Sequence, residues 1–284
     1  MATPFSPDGS VDFGRAQKLA SHLLQQGSTG LVVCGTTGES ATLSHDEKLQ
    51  LFRAVQEAAA GAPIIANTGS YDTASSVKLS REAQQIGVAA ILGVVPYYNR
   101  PSQEGLYQHF KAMAESVELP LVLYNLPGRT ARNMEVSTTA RLSQISNIIG
   151  TKEASGDLMQ IARTRSATPD SFLLYSGNDG DTLPMLPLGA CGVISVISHL
   201  AGKPMRQMMD AFWSGDIETA REIHLRLLPV IDALFPATSS SPSPLKAGLE
   251  MQGMSCGGLR LPLVEADESE RENLRRAMET AGLL

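Results

Sequence analysis

A lysine at the end of an apolar run is the clearest candidate for chemistry in this chain. Lys152 follows Ile148-Ile149-Gly150-Thr151, a run typical of a buried parallel strand. Burial is costly for an ammonium group and favours the neutral amine, which can attack a ketone and form a Schiff base. The alternative is a structural lysine paired with Glu153 or with another acid at a strand end. We favour the nucleophile, because hydroxyl groups and an arginine follow other apolar runs.

A glycine- and threonine-rich segment follows one of these runs, Leu31–Cys34. It reads Gly35-Thr36-Thr37-Gly38-Glu39-Ser40 and is called the carboxylate loop below. Its two glycines allow a tight turn, and its hydroxyl and backbone N–H groups suit a small carboxylate. The alternative is an ordinary turn between a strand and a helix. The segment is not a P-loop, because the lysine of that motif is missing.

Tyrosine and arginine follow two further runs. Tyr124 ends the run Pro120–Tyr124, where it can donate and accept a proton, and Arg129 can bind a carboxylate through two parallel hydrogen bonds. A core aromatic and a surface salt bridge are the alternatives. Tyr98 belongs to a tyrosine pair in the segment Pro96–Pro101. Taken alone, that pattern favours packing at an oligomer interface over an active-site lid.

The apolar runs alternate with helical patterns along the chain. This alternation predicts a (βα)8 TIM barrel, whose active site lies at the C-terminal ends of the strands. The predicted strands are Leu31–Cys34, Pro63–Ala66, Ala89–Val95, Pro120–Tyr124, Ile148–Lys152, Phe172–Tyr175 and Cys191–Val196. Before the first helix only Met1–Phe5 is available, and Pro4 disfavours pairing there, so we expect a truncated first strand. Either that strand is a stub, or the chain begins too late.

Helical patterns dominate the end of the chain. The predicted helices are Phe13–Gln26, Ser44–Ala60, Thr73–Ile86, Ser102–Glu118, Pro204–Trp213, Ile217–Leu234, Leu245–Met251 and Glu268–Ala281. We therefore divide the chain into a catalytic barrel, residues 1–216, and a C-terminal helical region, residues 217–284.

Composition excludes several classes of protein. The net charge of −6 argues against nucleic-acid binding, and no apolar stretch is long enough to span a membrane. Three widely spaced cysteines indicate reduced thiols in the cytoplasm. No histidine or carboxylate cluster predicts a metal site, and no Gly-x-Gly-x-x-Gly follows a strand, so we expect no metal and no cofactor.

Together these motifs resemble the dihydrodipicolinate synthase / N-acetylneuraminate lyase family of class I aldolases over essentially the whole chain. Val32–Ser40 resembles the family's pyruvate-carboxylate loop, and Ile148–Ala154 resembles its Schiff-base strand. The double threonine, Pro96–Tyr107 and Tyr124–Thr130 favour the synthase branch over the sialic-acid lyases.

The resemblance implies a condensation of pyruvate with L-aspartate 4-semialdehyde to 4-hydroxy-tetrahydrodipicolinate, on the route to lysine. It assigns the Schiff base to Lys152 and a proton relay to Tyr124, Thr36 and Tyr98, with Tyr98 reaching in from a neighbouring subunit of a homotetramer, a dimer of dimers. The remaining implied contacts to substrate are those of Thr37, Arg129, Gly177 and Ile194.

Two other functions are alternatives. One is a lyase or aldolase for a 2-keto acid sugar of the N-acetylneuraminate or 2-keto-3-deoxygluconate type, and Arg129 argues against it because it suits an anionic aldehyde. The other is a non-catalytic barrel that senses pyruvate. Lysine-sensitive relatives have Asn and Glu where this chain has Tyr71 and Ser75, so we expect weak inhibition by lysine.

Overall fold

The protein alternates strands and helices along its length, as the sequence predicts. The structure, a computed structural model, describes residues 1–284. The strands are β1 Leu31–Val33, β2 Ile64–Asn67, β3 Ala90–Val94, β4 Leu121–Asn125, β5 Ile148–Glu153, β6 Leu173–Ser176 and β7 Gly192–Val193. The helices are α1 Phe13–Gln25, α2 His45–Ala58, α3 Thr73–Ile86, α4 Gln103–Glu115, α5 Pro127–Thr130, α6 Val136–Leu142, α7 Leu158–Ala167, α8 Thr182–Met185, α9 Ser198–Trp213, α10 Ile217–Leu234, α11 Ser243–Met251 and α12 Glu268–Thr280.

The strands follow one another in chain order in one sheet, from β1 to β7. The pairs from β2 to β7 are all parallel, because a helix crosses over between successive strands. This order confirms the expected α/β barrel class with a C-terminal helical extension. It also places the carboxyl ends of these strands at one edge of the sheet, where the candidate residues lie.

The first strand is truncated, as expected. No strand precedes α1, and Phe5 forms only an isolated bridge with Val11. The amino group of Met1 donates to the carbonyl of Val32 on β1, and the hydroxyl of Thr3 donates to the carbonyl of Gly38 at 2.6 Å.

The chain divides into two compact units. The first comprises residues 1–62 and 196–284, and the second comprises residues 63–195. In the first unit, α9, α10, α11 and α12 pack on one another, and α1 packs on α2 and α9. In the second, β2 to β7 pack side by side, α3 packs on β3, and the helices α3, α4, α6 and α7 each pack on the next. The division at residues 216 and 217 stays a prediction, although α10 begins at Ile217.

Local signals explain where several helices begin and end. The hydroxyl of Ser44 accepts from the backbone N–H of Glu47, whose carboxylate accepts from the N–H of Ser44, so the capping box predicted before α2 is confirmed. The helix α9 is kinked at Ala201 (φ −138°, ψ 41°), which explains why the helical pattern was recognised only from Pro204 onward. None of the helices combines the length and the apolar character that crossing a membrane requires.

Candidate active site

Lys152 and Tyr124 lie side by side on neighbouring strands. They are register partners on β5 and β4, so their side chains project from the same face of the sheet. Both are buried, with 9% of Lys152 and 5% of Tyr124 exposed. The amine Nζ of Lys152 lies 4.1 Å from the centroid of the Tyr124 ring. No carboxylate pairs with this amine, which argues against a structural ion pair and leaves the amine available for covalent chemistry.

Glu153 is not the partner of Lys152. Adjacent residues of a strand point to opposite faces, and the carboxylate of Glu153 accepts hydrogen bonds from the amide Nδ2 of Asn125 at 3.1 and 3.2 Å and from the N–H of Ser155 at 2.9 Å. Burial raises the pKa of Glu153, against the lowering effect of these hydrogen bonds. The alternative of a Lys152–Glu153 ion pair is therefore wrong.

Space beside the lysine stem is kept open by Gly177. Its backbone N–H donates to the carbonyl of Glu153 at 2.7 Å, which brings the two strand ends together. A Cβ atom at position 177 would lie 3.1 Å from Cγ of Lys152 and 2.7 Å from Cβ of Ala154. The second distance is shorter than real Cβ contacts, so only glycine fits here without a shift of the backbone. The N–H of Ile194 donates to the carbonyl of Ser176 at 2.9 Å, which holds Ile194 just beyond β7.

Arg129 lies on α5, the short helix that follows β4. Its side chain is exposed, while Thr130 beside it is buried and donates its hydroxyl to the carbonyls of Leu126 at 3.0 Å and Arg132 at 2.9 Å. These bonds stabilise the turn that carries the guanidinium. An exposed arginine on a fixed turn can bind a carboxylate that arrives from solvent.

A group of amide side chains ties this turn to the strands. Asn125 donates to Oδ1 of Asn133 at 2.9 Å and accepts from the N–H of Met134 at 3.0 Å. Asn133 and Gln160 exchange two side-chain hydrogen bonds of 2.7 and 3.1 Å, and Gln103 donates to the carbonyl of Asn133 at 2.9 Å. Sequence reasoning missed this group, because its members lie on three separate elements and a loop.

Tyr98 projects from the protein surface. It is 93% exposed and has a positive φ of 73°, a backbone conformation that is unfavourable for a residue other than glycine. The Nδ2 of Asn99 donates to the carbonyl of Tyr71 at 2.9 Å, and the Tyr71 and Tyr97 rings meet edge to face with centroids 5.4 Å apart. The segment is thus held firmly while the Tyr98 ring stays accessible.

The carboxylate loop, Gly35–Ser40, belongs to the first compact unit. Thr36 is exposed and Thr37 is half-buried, so both hydroxyls are accessible. The loop forms two successive turns: the N–H of Gly38 donates to the carbonyl of Gly35 at 3.0 Å, and that of Glu39 donates to the carbonyl of Thr36 at 3.0 Å. Cys34 and Glu39 flank these turns with positive φ values of 57° and 55°.

The structure thus brings Lys152, Tyr124 and Gly177 together and places Ile194 at the end of the last strand of the same sheet. Arg129 and Tyr98 lie on separate segments that follow β4 and β3, and Thr36 and Thr37 lie in the other compact unit. No group of three or more histidine, cysteine, aspartate or glutamate side chains is placed to hold a metal ion.

These features define a (βα)8-barrel protein whose candidate residues follow the carboxyl ends of its strands. A model of the dihydrodipicolinate synthetase family matches residues 1–281, and the chain belongs to that family.

Named relatives cover the whole chain. The 4-hydroxy-tetrahydrodipicolinate synthase of a Cyanothece species is 52% identical over 286 residues, an alignment that spans 100% of this chain and 97% of the relative. The solved structure of dihydrodipicolinate synthase from Cyanidioschyzon merolae with lysine bound has a TM-score of 0.97 and 44% identity, and covers 100% of this chain and 97% of that one. The chloride-inhibited synthase of Acinetobacter baumannii complexed with pyruvate has a TM-score of 0.96 and 39% identity, with the same coverage.

Proposed function

We propose that this protein condenses pyruvate with L-aspartate 4-semialdehyde to 4-hydroxy-tetrahydrodipicolinate, a step of lysine and diaminopimelate biosynthesis, through a Schiff base on Lys152. The observation that carries the proposal is the buried amine of Lys152, 4.1 Å from the Tyr124 ring centroid and beside the space that Gly177 leaves open. Full-length relatives named as synthases favour this function over the sugar lyase.

The reaction begins at the lysine. The amine of Lys152 adds to the ketone carbon of pyruvate, and loss of water gives an imine. Removal of a proton from the methyl carbon gives an enamine, whose carbon attacks the aldehyde of the second substrate and leaves an alkoxide that is protonated. The amino group of that substrate then displaces Lys152 from the imine carbon, which closes the ring and frees the enzyme.

The remaining residues position substrates and move protons. We assign Tyr124, Thr36 and Tyr98 to the relay that carries protons to and from the imine nitrogen and the new hydroxyl. Thr37 and the backbone at Thr36 bind the pyruvate carboxylate, and Arg129 binds the carboxylate of the semialdehyde.

The backbone at Gly177 and Ile194 would complete the pyruvate site. No cofactor enters this scheme, since the lysine amine itself acts as the electron sink once it has formed the imine.

Tyr98 connects this assignment to assembly. At 93% exposure its ring is scarcely covered by its own protomer, and we propose that it enters the site of a neighbouring copy in a homotetramer, a dimer of dimers. Sedimentation should then show a tetramer, and Tyr98→Phe should lower kcat without changing that assembly. The cytoplasmic location expected from the sparse cysteines stays a prediction.

Borohydride trapping tests the proposed function. Incubation with pyruvate and borohydride should add one pyruvate-derived label, and peptide mapping should find it on Lys152. Lys48 offers a matched control, because it is a half-buried lysine whose pKa is lowered by burial. Lys152→Met should abolish labelling, and Lys48→Met should retain it.

A label on Lys48, or no label at all, would refute the Schiff-base assignment. Assays that combine pyruvate with either aspartate semialdehyde or N-acetylmannosamine then separate the synthase from the sugar lyase. Turnover of N-acetylmannosamine alone would replace the proposal with the lyase.

A further inference from the structure

A buried ion pair joins the carboxylate loop to the C-terminal region. The amine of Lys246, on α11, lies 2.7 Å from Oε1 of Glu39, the residue that ends the second turn of the loop. Only 3% of the Lys246 side chain and 1% of the Glu39 side chain are exposed. Removing one partner of such a pair leaves the other charge buried and uncompensated, so the two groups depend on each other.

Both side chains of the ion pair make further contacts. The amine of Lys246 donates to the carbonyl of Gly258 at 2.7 Å and lies 4.4 Å from the centroid of the Phe5 ring. The second oxygen of Glu39 accepts from the backbone N–H of Arg260 at 3.1 Å. The lysine is thus fixed between a carboxylate, a carbonyl and an aromatic ring, and these contacts offset part of the cost of burying its charge.

Arg260 extends the connection to the helix that follows the loop. Its guanidinium donates to both oxygens of Glu47 at 2.9 and 2.5 Å, to the carbonyl of Thr42 at 2.8 Å and to the carbonyl of Gly9 at 2.9 Å. The C-terminal segment thus contacts the carboxylate loop at Glu39, the chain just after the loop at Thr42, and the first turn of α2 at Glu47.

The ion pair acts on the backbone that carries the threonines. Glu39 has a left-handed conformation, with φ 55°, which is unfavourable for a residue with a side chain, and its N–H donates to the carbonyl of Thr36. The contacts of its buried carboxylate with Lys246 and with the backbone N–H of Arg260 stabilise Glu39 in this conformation. If the side chain of Glu39 moved, the turn that presents Thr36 and Thr37 would move with it.

We propose that Lys246 is a positioning residue for pyruvate: through Glu39 it fixes the conformation of the carboxylate loop. The inference rests on the proposed function, in which Thr36 and Thr37 hold the pyruvate carboxylate. It gives the C-terminal region a part in substrate binding, although Lys246 itself touches no substrate.

The experiment compares three variants in steady-state assays and in melting. Lys246→Met removes the cation and keeps the length of the side chain. The double variant Glu39→Gln with Lys246→Met leaves no uncompensated buried charge, and the Gln side-chain oxygen can still accept from the N–H of Arg260. Leu249→Ala, on the same helix and with a fully buried side chain, is the matched control for lost stability away from the loop.

We expect Lys246→Met to raise the KM for pyruvate about tenfold or more, which corresponds to ~1.4 kcal/mol of binding free energy. The KM for aspartate semialdehyde should stay within about threefold, whereas kcat should also fall, because the displaced Thr36 belongs to the proposed proton relay. In the double variant the Tm should recover while the KM for pyruvate stays raised, because the loop has lost its charged contact. Leu249→Ala should lower the Tm and leave the KM for pyruvate unchanged.

Two outcomes would overturn the inference. One is an unchanged KM for pyruvate in the double variant, which folds even if Lys246→Met does not. The other is a KM for pyruvate that rises whenever the Tm falls, in Leu249→Ala as well as in the loop variants. The ion pair would then act only through the stability of the protein. Failure of the proposed function is a separate result: the unsubstituted protein would form no pyruvate adduct on Lys152.

Discussion

Replacing Gly177 by alanine should disturb the candidate nucleophile directly. The added Cβ would lie 2.7 Å from Cβ of Ala154, whereas ordinary contact begins near 3.4 Å, so about 0.7 Å of movement is needed. Ala154 has no flexible side chain that could withdraw, so the backbone of one strand end must shift. The same Cβ would lie 3.1 Å from Cγ of Lys152, and the lysine stem must also move.

The magnitude follows from this displacement. Inserting a methyl group into a packed site costs ~1–3 kcal/mol of stability. A misplacement of ~1 Å at a reacting group can cost ~10²-fold in rate, so a shift of about 0.7 Å should slow imine formation by ~10- to 100-fold. Because the substitution adds bulk beside the lysine and removes no hydrogen-bonding group, the effect should appear at the first chemical step.

The assay is the rate of pyruvate-dependent borohydride trapping, measured beside the Tm. Gly180→Ala is the matched control, because it lies three residues further on and its added Cβ meets no atom within 4 Å. That variant should trap pyruvate at the unsubstituted rate and keep a stability within ~0.5 kcal/mol. If Gly177→Ala traps pyruvate as fast as Gly180→Ala, the space beside Lys152 is not the pyruvate site.

Three further outcomes are expected. Arg129→Ala should leave imine formation intact and raise the KM for aspartate semialdehyde by ~10- to 100-fold, since one hydrogen bond to a charged group is worth ~1.5–3 kcal/mol; equal losses in both half-reactions would contradict its role. Burial lowers the pKa of His109 from 6.5 to about 4, so its contribution to stability is complete above pH 6.5 and is lost as the pH falls toward 4. Between pH 7.5 and pH 5 the free energy of unfolding, measured with urea, should therefore fall by ~2 kcal/mol less in His109→Gln than in the unsubstituted protein. An equal fall in both proteins would contradict this role of His109. L-Lysine should inhibit weakly, because Ser75 supplies no charge for an ammonium group and Tyr71 differs from lysine-sensitive relatives; inhibition at submillimolar lysine would refute this, and Ser75→Glu should strengthen it.

Local sequence patterns predicted helices and strands well where residues near in the sequence determine their ends. The helix α3 has the predicted bounds, because Asp72 caps its first turn and Gly87 ends it with φ 88°. The pairing of Lys152 with Tyr124 likewise follows from parallel neighbours that end at one edge. The four-residue helix α5 was missed, since one turn shows no periodicity and depends on the hydroxyl of Thr130.

Contacts between residues far apart in the sequence could not be predicted from the sequence. The helical periodicity places Lys246 on a helix but does not identify its ion-pair partner, because Glu39 belongs to a loop near the other end of the chain. Glu153 is a similar case. The sequence offered it as an ion-pair partner of Lys152, whereas the strand turns its carboxylate to the opposite face, where Asn125 and Ser155 donate to it.

The link between the carboxylate loop and the C-terminal region bears on how the protein is made. Glu39 and Arg260 are separated by 221 residues, so the loop is synthesised early and its supports last. Contacts so distant in sequence form late, because closing the intervening chain costs entropy that local pairing does not. A nascent chain that has completed its parallel strands would thus still lack the parts that fix the loop, and the proposed pyruvate site would be complete only after Lys246 and Arg260 have been synthesised.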